Sequence, residues 1–514
     1  MPSRTLATVT AMMVALGVPL PARPMQSAPQ EYFIPTHRLA GVGSGRQELT
    51  EETLAQRTDA MMQSQTFTIM RDPQALAGAQ RITNSKLQRL FRDAERKSGF
   101  PAETLQAIAY LESWGIANAE SPAGPRGMMQ ISEATGRRMG LHINYSVKHR
   151  VTKTKTAVRD KHGKLVYRTV RHSVAYTVLL KDDRLKPEKA IAAAAMYLAG
   201  LERRFGGRDW AIWAYHCGEG CVADFRSIAR LTPGLDSPTA SVSKVFFGCS
   251  PVWNRELYQA IHTQMDRDYS PTYWFRVMRA QQLLSMYAGE PAEFRDLVEE
   301  YRYRVDAAHR APDRLSAWLK PQDLIYGTLD DIRSEQGHRL VNAPDDPAFF
   351  GFQVAGLGLP GDNSADNHYG QAFASTIGTV AYIAFETRRL FAALAPGDET
   401  FVPIEVTALV LPMKVEGRAV QGSRTVDHSS GQVFDISVAR LPNRERECLQ
   451  FVLDDLGWDG CLGFIEEPPG SQTLHIGCSP SSRDFFGQVF EDEQAAVRAR
   501  SVPAGAIPVG SEQP

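Results

Sequence analysis

The feature that most constrains this chain is an apolar helical run that ends in a carboxyl group and leads directly into a rigid loop. Across residues 101–111, Leu105, Ile108 and Leu111 recur at helical spacing, with Pro101 suited to the helix start. Glu112 falls one position past Leu111, at the edge of that face, and Ser113, Trp114 and Gly115 supply the exit, Gly115 providing its conformational freedom. The chain then reads Ser121-Pro122-Ala123-Gly124-Pro125-Arg126-Gly127-Met128-Met129-Gln130. Two prolines and two glycines between positions 121 and 127 predict a loop whose backbone can approach a ligand closely.

A carboxyl held against apolar walls is desolvated and keeps its proton to higher pH, as a general acid requires. An isolated glutamate at a helix end is ordinarily just solvated, but this one has company. Gln130 carries an amide donor and acceptor suited to an acetamido or hydroxyl group. A second block, Ala214-Tyr215-His216-Cys217-Gly218-Glu219-Gly220, follows downstream.

Together these blocks resemble the catalytic domain of the soluble lytic transglycosylases, a lysozyme-like family. Its pattern runs Glu-Ser, then Ser-Pro-Ala-Gly-Ala-x-Gly-Leu-Met-Gln, then Ala-Tyr-Asn-Ala-Gly. Here it stands as Glu112-Ser113, residues 121–130 and residues 214–218. The stretch 187–205, with Tyr197, Leu198 and Leu201 in order, resembles the family's middle helix. The resemblance covers residues 85–225. It implies that Glu112 is the single catalytic acid and base, and that Ser113, Gln130, Tyr197, Tyr215 and His216 shape the sugar subsite. Two departures stand out: His216 replaces the usual Asn and Cys217 the usual Ala. His216 retains a hydrogen-bond donor, and its protonation would make the site pH-sensitive.

Most glycosidases need two carboxylates. In N-acetylmuramic acid the acetamido oxygen can stabilise the cationic centre, so one carboxyl group suffices. The resemblance implies closure of the 6-hydroxyl onto the anomeric carbon, giving a 1,6-anhydro product without a cofactor. The residues alone equally allow water as nucleophile, which is lysozyme-type hydrolysis.

At 514 residues the chain is too long for one core. Apolar content of 43% and charge of 22% are ordinary for globular protein. A formal net charge of −1 supplies no global case for nucleic acid or an acidic membrane surface. Arg4, the apolar run 6–20 and small residues at Ala22 and Ala28 read as a secretory signal peptide over 1–28. The run is short for a membrane span, so the membrane is involved only if this segment stays uncleaved. Export fits a wall substrate, with the periplasm as destination. The partners implied are glycan strands and stem peptides of peptidoglycan.

The fold class expected is multidomain α+β: a mainly α lysozyme-like domain with an inserted β-hairpin, then a smaller α+β domain. Composition places an N-terminal arm at 29–80, the lysozyme-like domain at 81–290, a helical segment and linker at 291–365, the smaller domain at 366–490 and a disordered tail at 491–514. The hairpin is signalled by β-branched residues alternating with cations over 151–180, around Asp160-Lys161-His162-Gly163-Lys164. A positive face of Lys153, Lys155, Arg159, Lys164, Arg168 and Arg171 is suited to stem carboxylates, though a merely solvated hairpin is the commoner case.

In the C-terminal part, residues 402–410 are apolar and β-branched, and a block runs from Asp427-His428 to Asp435-Ile436, with His475 further on. His428, Asp435 and His475 make a credible two-nitrogen, one-carboxylate zinc set, although with 12 histidines coincidence is a real alternative. The block resembles the zinc D-alanyl-D-alanine peptidases, which carry His-x6-Asp and a later Glu-x-x-His. Here Gln472 stands where that glutamate is needed. Glu466 or Glu467 can take its place: a symmetric hairpin turning at 468–471 pairs Phe464 with His475, which puts Glu466 on the face of His475 as the candidate base and turns Glu467 away. The same register sets Cys461 opposite Cys478 as a candidate disulfide among six cysteines. Three readings follow: a wall enzyme cutting glycan and stems, a glycan cleaver with a muropeptide-holding C-terminal domain, or a binding protein with an inert lysozyme fold.

Overall fold

A computed structural model of the chain describes residues 50–159, 161–265, 270–310, 325–355, 370–394, 401–413, 428–458, 461–466 and 470–501. The signal-peptide segment lies outside the described residues. Two compact units emerge, the first of Met1–Asp72, His216–Gln282 and Ala292–Pro514, the second of Pro73–Tyr215 and Leu283–Pro291.

The first unit's first described helix is α1 (Glu51–Met70), so residues 51–70 of the expected arm form a continuous helix. Its Met61, Ile69 and Met70 are buried. Arg57 is buried too, in an ion pair with Asp455 and with its guanidinium 4.5 Å from the Phe247 ring centre. The periodicity over residues 51–70 is only weak, and it gives no hint of a partner 398 residues away.

The second unit runs through α2 (Ala75–Ile82), α3 (Ser85–Ser98), α4 (Ala102–Ser113), α5 (Glu133–Arg138), β1 (Ile143–Arg159), β2 (Leu165–Asp182), α6 (Pro187–Phe205) and most of α7 (Arg208–Cys217). The Asn84 side chain caps α3 by accepting from the Lys86 amide, and Gly99 closes it in the left-handed region. Ala190, Ala193, Ala194, Ala195 and Ala199 are buried on α6, small enough to let it lie close against α3. Leu105, Ile108 and Tyr110 of α4 and Trp210 and Trp213 of α7 are buried as well.

The hairpin is present and longer than expected. β1 and β2 pair antiparallel from Ile143↔Asp182 to Arg159↔Leu165. Lys153↔Arg171 puts Lys153, Lys155, Arg159 and Arg171 on one face, whereas Arg168, opposite Thr156, lies on the other. The single positive face is thus divided between two.

The first unit resumes with α8 (Glu219–Ala229), α9 (Val242–Phe247), α10 (Arg255–Met265), α11 (Tyr273–Gly289), which ends in the second unit, α12 (Pro291–Arg310) and α13 (Leu329–Glu335). Next come β3 (Leu340–Asn342), α14 (Pro347–Phe350), β4 (Phe352–Val354), β5 (Gln371–Phe373), α15 (Ala374–Leu394), β6 (Ile404–Ala408), β7 (Val433–Ser437), α16 (Asn443–Trp458), β8 (Leu462–Glu466), β9 (Thr473–Cys478) and α17 (Arg483–Ser501). Five strands form one sheet in the order β4-β6-β7-β9-β8, parallel between β4 and β6 and antiparallel elsewhere. β4 falls in the stretch expected to be linker, and α17 runs eleven residues into the expected tail, through Ser501. Helices α15 and α17 pack so closely that a Cβ at Gly378 would sit 1.9 Å from the Phe486 carbonyl oxygen. No described helix is long and apolar enough to cross a membrane.

Candidate functional site

In the second unit, Glu112 is half-buried on the last turn of α4. The exit from that helix is more strained than its sequence suggested. Trp114, before Gly115, already turns left-handed at φ 54°, a conformation a bulky residue adopts only when its surroundings insist. Those surroundings come from α2. The Trp114 ring meets Tyr110 edge-on at 4.6 Å, Arg81 donates to the Trp114 carbonyl at 3.0 Å, and Tyr110 donates to the Ala75 carbonyl at 2.9 Å. A Cβ at Gly78 would come within 3.0 Å of both rings. The helix that builds this wall belongs to the stretch expected to be arm.

The loop after Glu112 is held from three sides. Ser113 is buried and donates its hydroxyl proton to the Met128 carbonyl at 2.8 Å. Gln130, at φ 43°, donates its side-chain amide to the Gly127 carbonyl at 2.9 Å. One donor of the amide expected to meet a sugar is thus used to brace the loop. Gly127, at φ 80°, lies so close to the chain entering α6 that a Cβ would stand 1.9 Å from the Arg184 carbonyl oxygen. Arg184 is itself buried, paired with Asp182 at 2.7 Å and donating to the Ile131 carbonyl at 3.2 Å. Sequence reading singled out neither Asp182 nor Arg184. An acid and a base two apart beyond a strand are too common to be a signal.

Tyr215 completes the cradle. Its hydroxyl donates to the Met129 carbonyl at 2.6 Å, and its ring lies 6.0 Å from that of Tyr197, which carries Arg138 at 5.0 Å on its face. Burial, the charge of Glu112 and then Tyr197 push the Tyr215 phenol well above the usual tyrosine range. Tyr215 therefore stays a hydrogen-bond donor, in reach of the field of the Glu112 carboxylate. His216 begins the other unit, exposed and stacked on Tyr273 with ring centres 4.3 Å apart.

The first unit holds a second cluster. His428, Asp435 and His475 converge, with one donor atom from each lying within 4.8 Å of the others. His428 is buried, and its Nδ1 lies 2.8 Å from the Leu409 carbonyl. That contact suits a proton on Nδ1 and leaves Nε2 directed at Asp435, 3.1 Å away. Asp435 on β7 faces His475 on β9 directly, with Oδ1 2.5 Å from Nδ1. Burial works to raise the Asp435 carboxyl, but His428 and then His475, through charge and hydrogen bonding, hold it below the usual carboxylate range. Around a tetrahedral zinc, donor atoms stand about 3.3 Å apart. The three residues fit such an ion with small adjustments.

Glu466 does not join them. The β8–β9 register runs Phe464↔Ile476, Ile465↔His475, Glu466↔Leu474, one residue from the symmetric pairing expected. Gln472, immediately before β9, takes φ 60°. Glu466 thus lies on the face of Leu474, opposite to that of His475, and accepts from the Gln472 amide at 3.0 Å. Glu467 lies outside the described residues. The same shift places Leu462 rather than Cys461 opposite Cys478, and no disulfide forms among the described cysteines.

Known proteins resemble this chain around the first of these sites. The family model of the transglycosylase SLT domain matches residues 89–158 and 164–231. The peptidoglycan transglycosylase gp16 of Escherichia phage T7 is 32% identical over 181 residues, covering 32% of this chain and 11% of that protein. Membrane-bound lytic murein transglycosylase F 2 of Alkalilimnicola ehrlichii is 28% identical over 152 residues, 28% of this chain and 25% of that protein. The transglycosylase F of Alcanivorax borkumensis is 28% identical over 152 residues, with 28% and 24% covered. The chain thus spans only a tenth to a quarter of the length of these relatives. Glu112, Ser113, Gln130, Tyr197 and Tyr215 all fall within the segment that is similar in sequence to the transglycosylase SLT domain.

Proposed function

We propose that the chain is a peptidoglycan lytic transglycosylase that cleaves the β-1,4 bond from N-acetylmuramic acid to N-acetylglucosamine. The observation that carries this reading is Glu112, half-buried beside Tyr215 and the braced loop 121–130, inside the SLT-like segment. Glu112 gives its proton to the glycosidic oxygen as the bond to the anomeric carbon breaks. The substrate's acetamido oxygen stabilises the cationic centre. The Glu112 carboxylate then takes the proton of the 6-hydroxyl, whose oxygen closes onto the anomeric carbon. Ser113 and Gln130 serve by holding the loop, and Tyr215 by fixing Met129 within the field of the carboxylate. Such a substrate makes the periplasm the place of action.

The test is the mass of the products from purified sacculi. Muramic ends lighter by one water are expected; reducing ends would replace this reading with lysozyme-type hydrolysis. Glu112→Gln should lower turnover by roughly 10²–10⁴-fold while the protein stays folded, because the amide has no proton to give. Substantial residual turnover would remove Glu112 from its role.

A second reading is favoured by the convergence of His428, Asp435 and His475. These residues would hold a zinc ion, which when bound polarises a carbonyl and activates water for stem-peptide cleavage. With Glu466 turned away, a muropeptide-holding role for this part competes with a catalytic one.

A further inference from the structure

The ribbon of residues 143–182 differs in charge from everything around it. It contains ten Lys or Arg against Asp160 and Asp182, a formal +8 in a chain whose total is −1. Apart from Asp182 at the root, neither strand carries an acidic side chain. Lys153 stands directly opposite Arg171, and like charges in cross-strand pairs are destabilising. Apolar side chains are exposed as well, Val147 at 63% and Tyr167 at 70%. A two-stranded hairpin without a buried face is marginal in water. This one extends for 17 residue pairs, about 55 Å at strand rise, while repelling itself.

Both its charge and its root indicate what would lie along it. Tyr145 donates to Glu133 at 2.9 Å at the base of β1, and the chain leaving β2 passes at once to Arg184, which holds the loop of Gly127 and Ile131. The ribbon therefore starts at the loop of residues 121–130 that follows the Glu112 helix. Its cations are spread along its length and over both faces, a pattern that suits discrete carboxylates in a mesh better than a flat lipid surface. We propose that the ribbon is a docking arm for the carboxylates of peptide stems, holding peptide-bearing glycan while the sugars occupy the Glu112 site. This rests on the reading of that site as a glycan-cleaving one.

The test uses the full chain and a variant carrying Lys153→Ser, Lys155→Ser and Arg171→Ser. Two measurements are made: co-sedimentation with intact sacculi and with sacculi stripped of stems by an amidase, and cleavage of stem-free glycan oligomers. The wild type should bind intact sacculi roughly tenfold more tightly than stripped ones, in a salt-sensitive way, and the variant should lose that difference. Exchanging Lys for Arg and Arg for Lys at the same three positions should restore it. Equal binding of the two sacculi, or unchanged binding by the serine variant, overturns the proposal. So does displacement from sacculi by duplex DNA or phosphatidylglycerol vesicles at concentrations where soluble stem peptide has no effect. Failure of the wild type to cleave stem-free oligomers would count against the Glu112 reading instead, and the binding comparison would still report on the arm.

Discussion

Single residues carry most of the chemistry in the second unit, and their placement depends on contacts too tight to relax. Gly127 is the sharpest case. Its φ of 80° and the 1.9 Å clearance to the Arg184 carbonyl mean that a methyl group must displace backbone. Gly127→Ala should cost roughly 2–4 kcal/mol in thermal or urea unfolding and should lower glycan turnover beyond what instability explains. An unchanged midpoint would mean that this approach is looser than described. Gln130 teaches a related lesson: its residue type suits a sugar amide, yet its donor serves the Gly127 carbonyl. Gln130→Ala thus acts on loop order before it acts on any substrate contact.

At the scale of elements, the register of the five-stranded sheet brings the candidate metal ligands together. β7 and β9 pair Asp435 with His475, and the short turn before β7 adds His428 against the Leu409 carbonyl. His428→Ala and His475→Ala should each remove bound zinc, measured on the full chain by metal analysis after dialysis; about one equivalent is expected for the wild type. Metal content equal in all three proteins would leave the cluster as a buried ion pair. The register also explains why Glu466 was misplaced. The observed pairing differs by one residue from the symmetric one, and side chains of period two then change faces together.

For the molecule as a whole, long-range contacts within the first unit decide stability. Arg57 of α1 and Asp455 of α16 are 5% and 1% exposed. Arg57→Ala would leave the Asp455 carboxylate buried without its cation, a loss of about 3–5 kcal/mol. Adding Asp455→Ala should recover much of that, and a double-mutant cycle by thermal unfolding checks it. The same unit buries three thiols, Cys249, Cys448 and Cys478, each pushed up to about 12 by desolvation. A raised folded pKa means that this contribution to stability is complete below the unfolded thiol value of about 8.5 and is lost as pH rises from there toward 12. Iodoacetamide at pH 8 should therefore label the half-buried Cys217, Cys221 and Cys461 before these three, as peptide mapping would reveal.

The sequence by itself determined the α4 run ending in Glu112, the following loop, the helix at 187–205, the existence of the hairpin and the His428, Asp435 and His475 set. Each is written in local spacing or in a few residue types whose chemistry has few other uses. Tertiary structure alone decided the rest. The anchoring of α1, the wall of α2 behind Trp114 and the grip of Arg184 on the Ile131 carbonyl depend on partners distant in the chain, which local spacing does not name. The face of Glu466 and the division of the hairpin's cations were decided by register, where a shift of one residue outweighs all the alternation in a strand.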